Sequence, residues 1–175
     1  GYEFEANVRA IVGAAGGRVL GSVRHPFSSG DMSSFLLQAQ SSGADIIVLA
    51  NAGTDTTNTI KQAHEFGINS TMKLAGLLVF LSDVHSMGLE IAQGIILTNS
   101  FYWDMNDRTR AFAERLKPKS PNQRPTMVQA GVYSSVLHYL KVAGDKGTAS
   151  MKGDGAATVA ALKAVPTSDD CFGQG

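Results

Sequence analysis

The polar turn Asn51-Ala52-Gly53-Thr54-Asp55 is the stretch whose residue types best suit chemistry. It follows an unbroken apolar run, Ile46 to Leu49, rich in β-branched side chains. Such a run reads as a strand buried on both faces, as in parallel sheets. Ala50 to Gly53 are small enough for a tight turn, and Thr54 to Asn58 supplies several side chains able to cap a helix. Strand, turn and helix together place Asn51, Ala52, Gly53 and Asp55 beyond the carboxyl end of a strand, where open α/β sheets bind ligands. Asp55 either meets a ligand ammonium or caps its helix. A second candidate is the aromatic triplet Phe101-Tyr102-Trp103 after the strand Gly94 to Thr98. Phe101 and Trp103 either wall an apolar ligand or serve as packing.

Covalent and metal chemistry find little support. The sequence holds no G-x-S-x-G, no P-loop and no Gly-x-Gly-x-x-Gly after a strand. Gly13 to Gly17 lies at a helix end, the wrong side for holding phosphate. His25, His64, His85 and His138 are scattered, and His85 with Asp83 is an i, i+2 pair that shares no helix face. Cys171 is the single cysteine, which excludes an internal disulfide and a cysteine-based zinc site. No enzymatic activity and no cofactor or metal is expected. With 15 basic and 15 acidic residues the formal net charge is zero, so no nucleic-acid partner is expected. No apolar run approaches the roughly 18 residues of a membrane span.

The elements that must position these residues alternate. Phe4, Val8, Ile11, Val12 and Ala15 make one apolar helix face, stopped at Gly16-Gly17. Val19 to Val23 reads as a strand, and Arg24 to Gly30 as a loop. Asp31 caps a helix with Met32, Phe35, Leu36 and Ala39 inward. The helix after the central strand runs to Phe66, with Ile60 and Ala63 inward and Gly67 as its stop. Met72 to Leu78 is the next strand, and Ser82 opens a short helix through Met87. A helix from Asp104 or Asn106 carries Thr109, Phe112, Ala113 and Leu116 on one face. The loop Pro118 to Pro125 is the clearest boundary. Beyond it a helix, Thr126 to Ala143, presents Val132, Val136, Tyr139, Leu140 and Ala143 on one side. Gly144 to Gly155 reads as loose, Ala156 to Ala164 as a last helix, and the final nine residues as unstructured. The chain opens without a preceding strand and ends in helices, the pattern of a piece from a larger protein. The fold class is therefore a three-layer α/β/α Rossmann-like lobe with a mostly parallel sheet, incomplete at both ends.

Several segments together resemble a known family. These are Gly16-Gly17-Arg18-Val19-Leu20-Gly21, Asp31 to Gln40, Gly43-Ala44-Asp45, Lys61-Gln62-Ala63 through Gly67-Ile68, and Pro125-Thr126 through Gln129-Ala130-Gly131-Val132-Tyr133. In order and spacing they resemble the second half of a type I periplasmic solute-binding protein of the branched-chain amino acid ABC transporter family. The resemblance implies two lobes around a ligand cleft. Residues 1–117 would form most of the second lobe, 118–125 a crossover loop, and 126–175 helices returning toward the first lobe. It also implies a periplasmic location and an ABC transporter permease as partner.

The same resemblance places a second-lobe ligand contact at Asn51, where family members often carry an aromatic residue. Asn51, Ala52 and Gly53 offer no ring to stack. It also places an acidic residue near Leu77, Leu78 and Phe80, where this chain is apolar until Asp83. A ligand ammonium buried against Leu78 would cost several kcal/mol. Leu78 therefore points to a ligand with an apolar or aromatic tail, or is simply core. The expected function is capture of an amino acid or a small apolar or aromatic carboxylate by hinge closure. The alternatives are a ligand-sensing lobe of a transcription regulator or receptor, and a flavodoxin-like or Rossmann enzyme. Uncovered lobe surface also makes a homodimer an expectation.

Overall fold

The computed structural model describes residues 1–147 and 150–175. They divide into two compact units, Gly1–Thr98 and Asn99–Gly175.

The first unit is the alternating α/β part. Helix α1 (Tyr2–Ala14) ends at Gly16, whose φ of +80° continues the chain out of the helix. Helix α2 (Ser33–Gln40) has Met32 at its N-cap; Asp31, expected as the cap, stands one residue earlier, where its carboxylate accepts from the Ser33 N–H at 2.9 Å. Strand β1 (Ile46–Leu49) leads into α3 (Thr54–Glu65), which ends before Gly67 in the left-handed region. A 3-10 turn, Ile68–Ser70, leads to β2 (Lys73–Gly76). Helices α4 (Leu81–Met87) and α5 (Leu89–Ala92) precede β3 (Ile96–Leu97). The sheet runs β1-β2-β3, all parallel, with Leu49 opposite Gly76 and Gly76 opposite Leu97. One apolar layer joins Met32, Leu36, Ala63, Ile68, Met72 and Leu74, and a second joins Leu49, Ile60, Val79 and Met87. Ile47 and Ile95 pack against both.

Three expectations for this unit need correction. Val19 to Val23 joins no ladder and pairs with none of the described strands. β1 is covered on one face only: Ile47 and Leu49 face helices, while Ile46 and Val48 are exposed, as is Ile96. A uniformly apolar run cannot tell which face will find a partner. The short helix starts at Leu81 rather than after Ser82, since Asp83 accepts from the Phe80 N–H at 2.8 Å and fixes the first turn there.

The second unit is mostly helical. Helix α6 (Asp107–Leu116) is capped by Asn106, which accepts from the Thr109 N–H at 3.0 Å, and it buries Thr109, Phe112 and Ala113 as its periodicity predicts. Helix α7 (Met127–Lys146) starts at Thr126, which accepts from the Val128 N–H, while Gln129 reaches back to the Thr126 N–H. Then come α8 (Ser150–Gly153), α9 (Gly155–Lys163) capped by Asp154, and an antiparallel hairpin of β4 (Ser168–Asp169) and β5 (Gly173–Gln174).

The expected inner face of α7 is largely wrong. Val132, Val136, Tyr139 and Leu140 are exposed; of that face only Ala143 is buried, together with Ala130 and Val142. The helix is apolar most of the way round, so its period does not select a face. The final residues are ordered into the hairpin because Cys171 fills the cluster of Phe101, Phe112 and Ala130. The stretch Gly144 to Gly155 is helical at both ends, and its residues 148 and 149 lie outside those described. The loop Pro118 to Pro125 lies inside the second unit: α6 and α7 on either side of it share that cluster, with the Phe112 and Tyr133 rings 5.0 Å apart.

Candidate functional site

The turn between β1 and α3 is built by its glycine. Gly53 sits at φ +61°, ψ −135°, and a β-carbon there would meet open space, so backbone conformation rather than crowding demands glycine. The first turn of α3 closes through Thr57 N–H to Gly53 C=O at 3.1 Å, and no side chain caps the helix. The amides of Thr54, Asp55 and Thr56 therefore have no hydrogen-bond partner among the described residues. Ala52 and Gly53 beside them are exposed. A helix start with free N–H groups carries partial positive charge and suits an anionic or acceptor group.

Asn51, expected as a ligand contact, and Asp55, expected as a ligand contact or a cap, are both engaged. Asp55 is 4% exposed, and its carboxylate accepts from the Ser28 N–H at 3.1 Å, pinning the loop Arg24 to Gly30. Gln62 pins the end of that loop by donating to the Gly30 carbonyl at 2.9 Å, and it accepts from the N–H of Met32, the N-cap of α2, at 2.7 Å. Asn51 donates toward His25 Nε2 at 3.1 Å and Thr59 Oγ1 at 3.2 Å, and accepts from the Thr56 hydroxyl at 2.9 Å. His25, Thr56 and Thr59 were missed by sequence reasoning. The available signal was the spacing of Thr56 and Thr59, three apart on one helix face with Ile60 and Ala63 inward.

Leu78 lies in the loop after β2. That loop is tight: a β-carbon on Gly76 would stand 2.3 Å from a Val79 methyl. Val79 is the buried residue of the loop, and Leu77 and Leu78 are half-buried.

Phe101 and Trp103 belong to the second unit. Phe101 is 3% exposed and meets Phe112 edge-on at 5.8 Å and Phe172 at 6.3 Å, so its ring is core. Trp103 is half-buried, with the Arg124 guanidinium 4.4 Å from its ring centroid. Arg124 also reaches Glu114 at 2.7 Å, and hydrogen bonds from Arg124 and Lys117 hold the Glu114 carboxyl below the usual carboxylate range.

In the hairpin, burial would raise Asp169. Hydrogen bonds from Ser134, Phe172 and Cys171 more than offset this and hold it below the usual range. Asp170 pairs with Arg115 and Tyr133. Burial, with Asp169 and Asp170 nearby, pushes the Cys171 thiol up to about 12.

Among the described residues no group of three or more His, Cys, Asp or Glu could hold a metal ion, and no helix is long and apolar enough to cross a membrane.

Comparison with known proteins gives a consistent picture. The family profile described as "Periplasmic binding protein" matches residues 1–175. A periplasmic binding protein from Burkholderia mallei is 48% identical, with a TM-score of 0.86 over 98% of this chain and 44% of its own. A branched chain amino acid ABC transporter periplasmic ligand-binding protein from Burkholderia xenovorans LB400 is 43% identical, with a TM-score of 0.78 over 97% of this chain and 44% of its own. An ABC transporter solute-binding protein from R. palustris, solved in complex with 4-hydroxybenzoate, shares the fold at 23% identity, with a TM-score of 0.82 over 99% of this chain and 48% of its own. The chain thus spans less than half the length of each of these three. Among curated proteins none matches.

Proposed function

As the chain belongs to the periplasmic binding protein family, we propose that it forms much of one lobe of a solute-binding protein that hands its cargo to an ABC transporter permease. This is a binding role rather than turnover, exercised in the periplasm. The first unit belongs to the second lobe, and the solute is closed upon when a first lobe swings over it.

The observation that carries this reading is the uncapped start of α3. Three free amides stand at the carboxyl end of a parallel strand, beside exposed Ala52 and Gly53, on a turn that Asn51 and Asp55 hold rigid. Such a turn offers hydrogen bonds to a carboxylate or other acceptor without moving. Leu78 adds apolar surface in the next loop, and no acidic group there awaits an ammonium. The favoured solute is therefore an amino acid or, better, a small apolar or aromatic carboxylate, a class that includes the 4-hydroxybenzoate held by the R. palustris relative.

Calorimetric titration of a two-lobed protein carrying this sequence tests the reading. Valine, benzoate and 4-hydroxybenzoate are the probes, and saturable binding of at least one is expected. Replacing Gly53 by proline, which distorts the turn and its amides, should abolish it. Absence of binding to every carboxylate, or undiminished binding in Gly53→Pro, would overturn the assignment.

A further inference from the structure

The hydrogen positions around the β1–α3 turn admit one arrangement. Thr59 Oγ1 lies 2.6 Å from the Asp55 carbonyl oxygen, which can only accept, so the Thr59 proton is spent there. The Asn51 atom 3.2 Å from Thr59 Oγ1 must then be the donor, Nδ2. Asn51 Oδ1 correspondingly takes the Thr56 hydroxyl at 2.9 Å. The other Nδ2 proton faces His25 Nε2 at 3.1 Å, so Nε2 must hold a lone pair. The imidazole proton is left on Nδ1, which faces the Pro26 carbonyl oxygen at 2.8 Å, again an acceptor only. The path from Pro26 through His25, Asn51 and Thr59 to Asp55 is consistent throughout, and it requires His25 to be neutral.

We propose that His25 is a positioning residue: as the neutral Nδ1–H tautomer it latches the β1–α3 turn to the loop Arg24 to Gly30, and its protonation opens the latch. Protonated His25 would turn Nε2–H against Asn51 Nδ2–H, donor against donor. Asn51 must then withdraw, or flip its amide and draw the Thr59 proton away from the Asp55 carbonyl. On the loop itself, the Arg24 guanidinium is turned to Glu5 and the Tyr2 ring. From α2 the neighbour is the Phe35 ring, 5.9 Å away. From α3 the Asp55 carboxylate is committed to the Ser28 N–H, and among the described residues no carboxylate forms an ion pair with His25. The Asn51 contact exists only while Nε2 keeps its lone pair, so the latch as drawn belongs to the neutral ring. The consequence for solute rests on the proposed site; the latch itself does not.

The test is side-chain 1H–15N correlation spectroscopy of the chain across a pH titration, with two variants. His25→Gln keeps an acceptor near the Nε2 position and cannot be protonated. His25→Phe keeps the ring packing and removes the acceptor. Wild type should show the proton on Nδ1. Its Asn51 side-chain amide should shift in step with His25, and protection of the Thr57 amide, after correction for intrinsic exchange, should fall about tenfold on acidification. His25→Gln should hold the neutral pattern throughout, and His25→Phe the acid pattern throughout. A proton on Nε2, or an Asn51 amide indifferent to His25 titration, would overturn the latch. Titrating 4-hydroxybenzoate into the two-lobed protein separates the two ideas. The predicted tautomer without any binding overturns the solute site and upholds the latch; binding that is pH-independent with the other tautomer does the reverse.

Discussion

Replacing Asp55 by alanine should loosen the loop Arg24 to Gly30 and cost the first unit about 2 kcal/mol. The carboxylate is 4% exposed and receives the Ser28 N–H at 3.1 Å. A hydrogen bond to a charged group is worth about 1.5–3 kcal/mol, and an acidic residue in the first turn of a helix adds about 0.3–1 kcal/mol. Ser28 is exposed, so water can take over part of its N–H demand, which places the loss near the lower end of the sum. Ser28 also sits at φ +59°, a conformation that costs a non-glycine residue about 1 kcal/mol and persists only while its surroundings enforce it. Once the Asp55 bond is gone, Ser28 can relax out of the left-handed region. For a chain of this length about 2 kcal/mol lowers Tm by roughly 4–8 °C. Asp55→Asn keeps an acceptor but not the charge, and should cost about half as much. The decisive assay is hydrogen exchange at the Ser28 amide, protected in wild type, intermediate in Asp55→Asn and fast in Asp55→Ala. Equal Ser28 exchange in wild type and Asp55→Ala would refute the reasoning, whatever happened to Tm.

Three further outcomes are expected. Gly76→Ala should destabilise by about 1–3 kcal/mol, because its methyl would press on Val79, and Val79→Ala should recover part of that loss in the double variant, as urea unfolding will show. The Asp169 carboxyl is held below its ordinary range, so its stabilising contribution is full above the range of an unfolded carboxylate and fades as pH falls through the lower folded value; Asp169→Asn should flatten that acid limb of a pH–stability profile. Cys171 is fully buried with its thiol pushed up to about 12, so alkylation of native protein should proceed only at the rate the hairpin opens, and Asp170→Ala, which breaks the Arg115 tie, should accelerate it.

Local chemistry made much of the first unit legible. Glycines at turns are requirements of single positions, so Gly16 and Gly67 marked helix ends correctly, while Asp31 fell one residue before the N-cap Met32. Ile60 and Ala63 on α3, and Phe112 and Ala113 on α6, were readable as core because a polar opposite face fixed which side turned inward. The β1–α3 turn itself was readable for the same reason: small residues and Gly53 between an apolar strand and a helix leave few conformations. The ordered segments that resembled one family led to the family that matches the whole chain.

Tertiary structure decided whatever depended on a partner distant in sequence. The apolar run of β1 is uniform and the apolar residues of α7 fall on several sides of the helix, so their period cannot say which face is covered; packing left Ile46, Val48, Val132 and Leu140 exposed. The C-terminal residues are polar and glycine-containing, and nothing local orders them. They fold because Cys171 completes a cluster built by Phe101, Phe112 and Ala130, residues 41 to 70 positions earlier. The same holds at the site. Asp55 and Asn51 were visible as polar residues on a turn, but Ser28 and His25, which claim them, lie 27 and 26 residues away. A sequence fixes which donors and acceptors exist and which bend can hold them. Only the folded chain fixes which donor meets which acceptor, because that is set by through-space distance between segments that the sequence keeps apart.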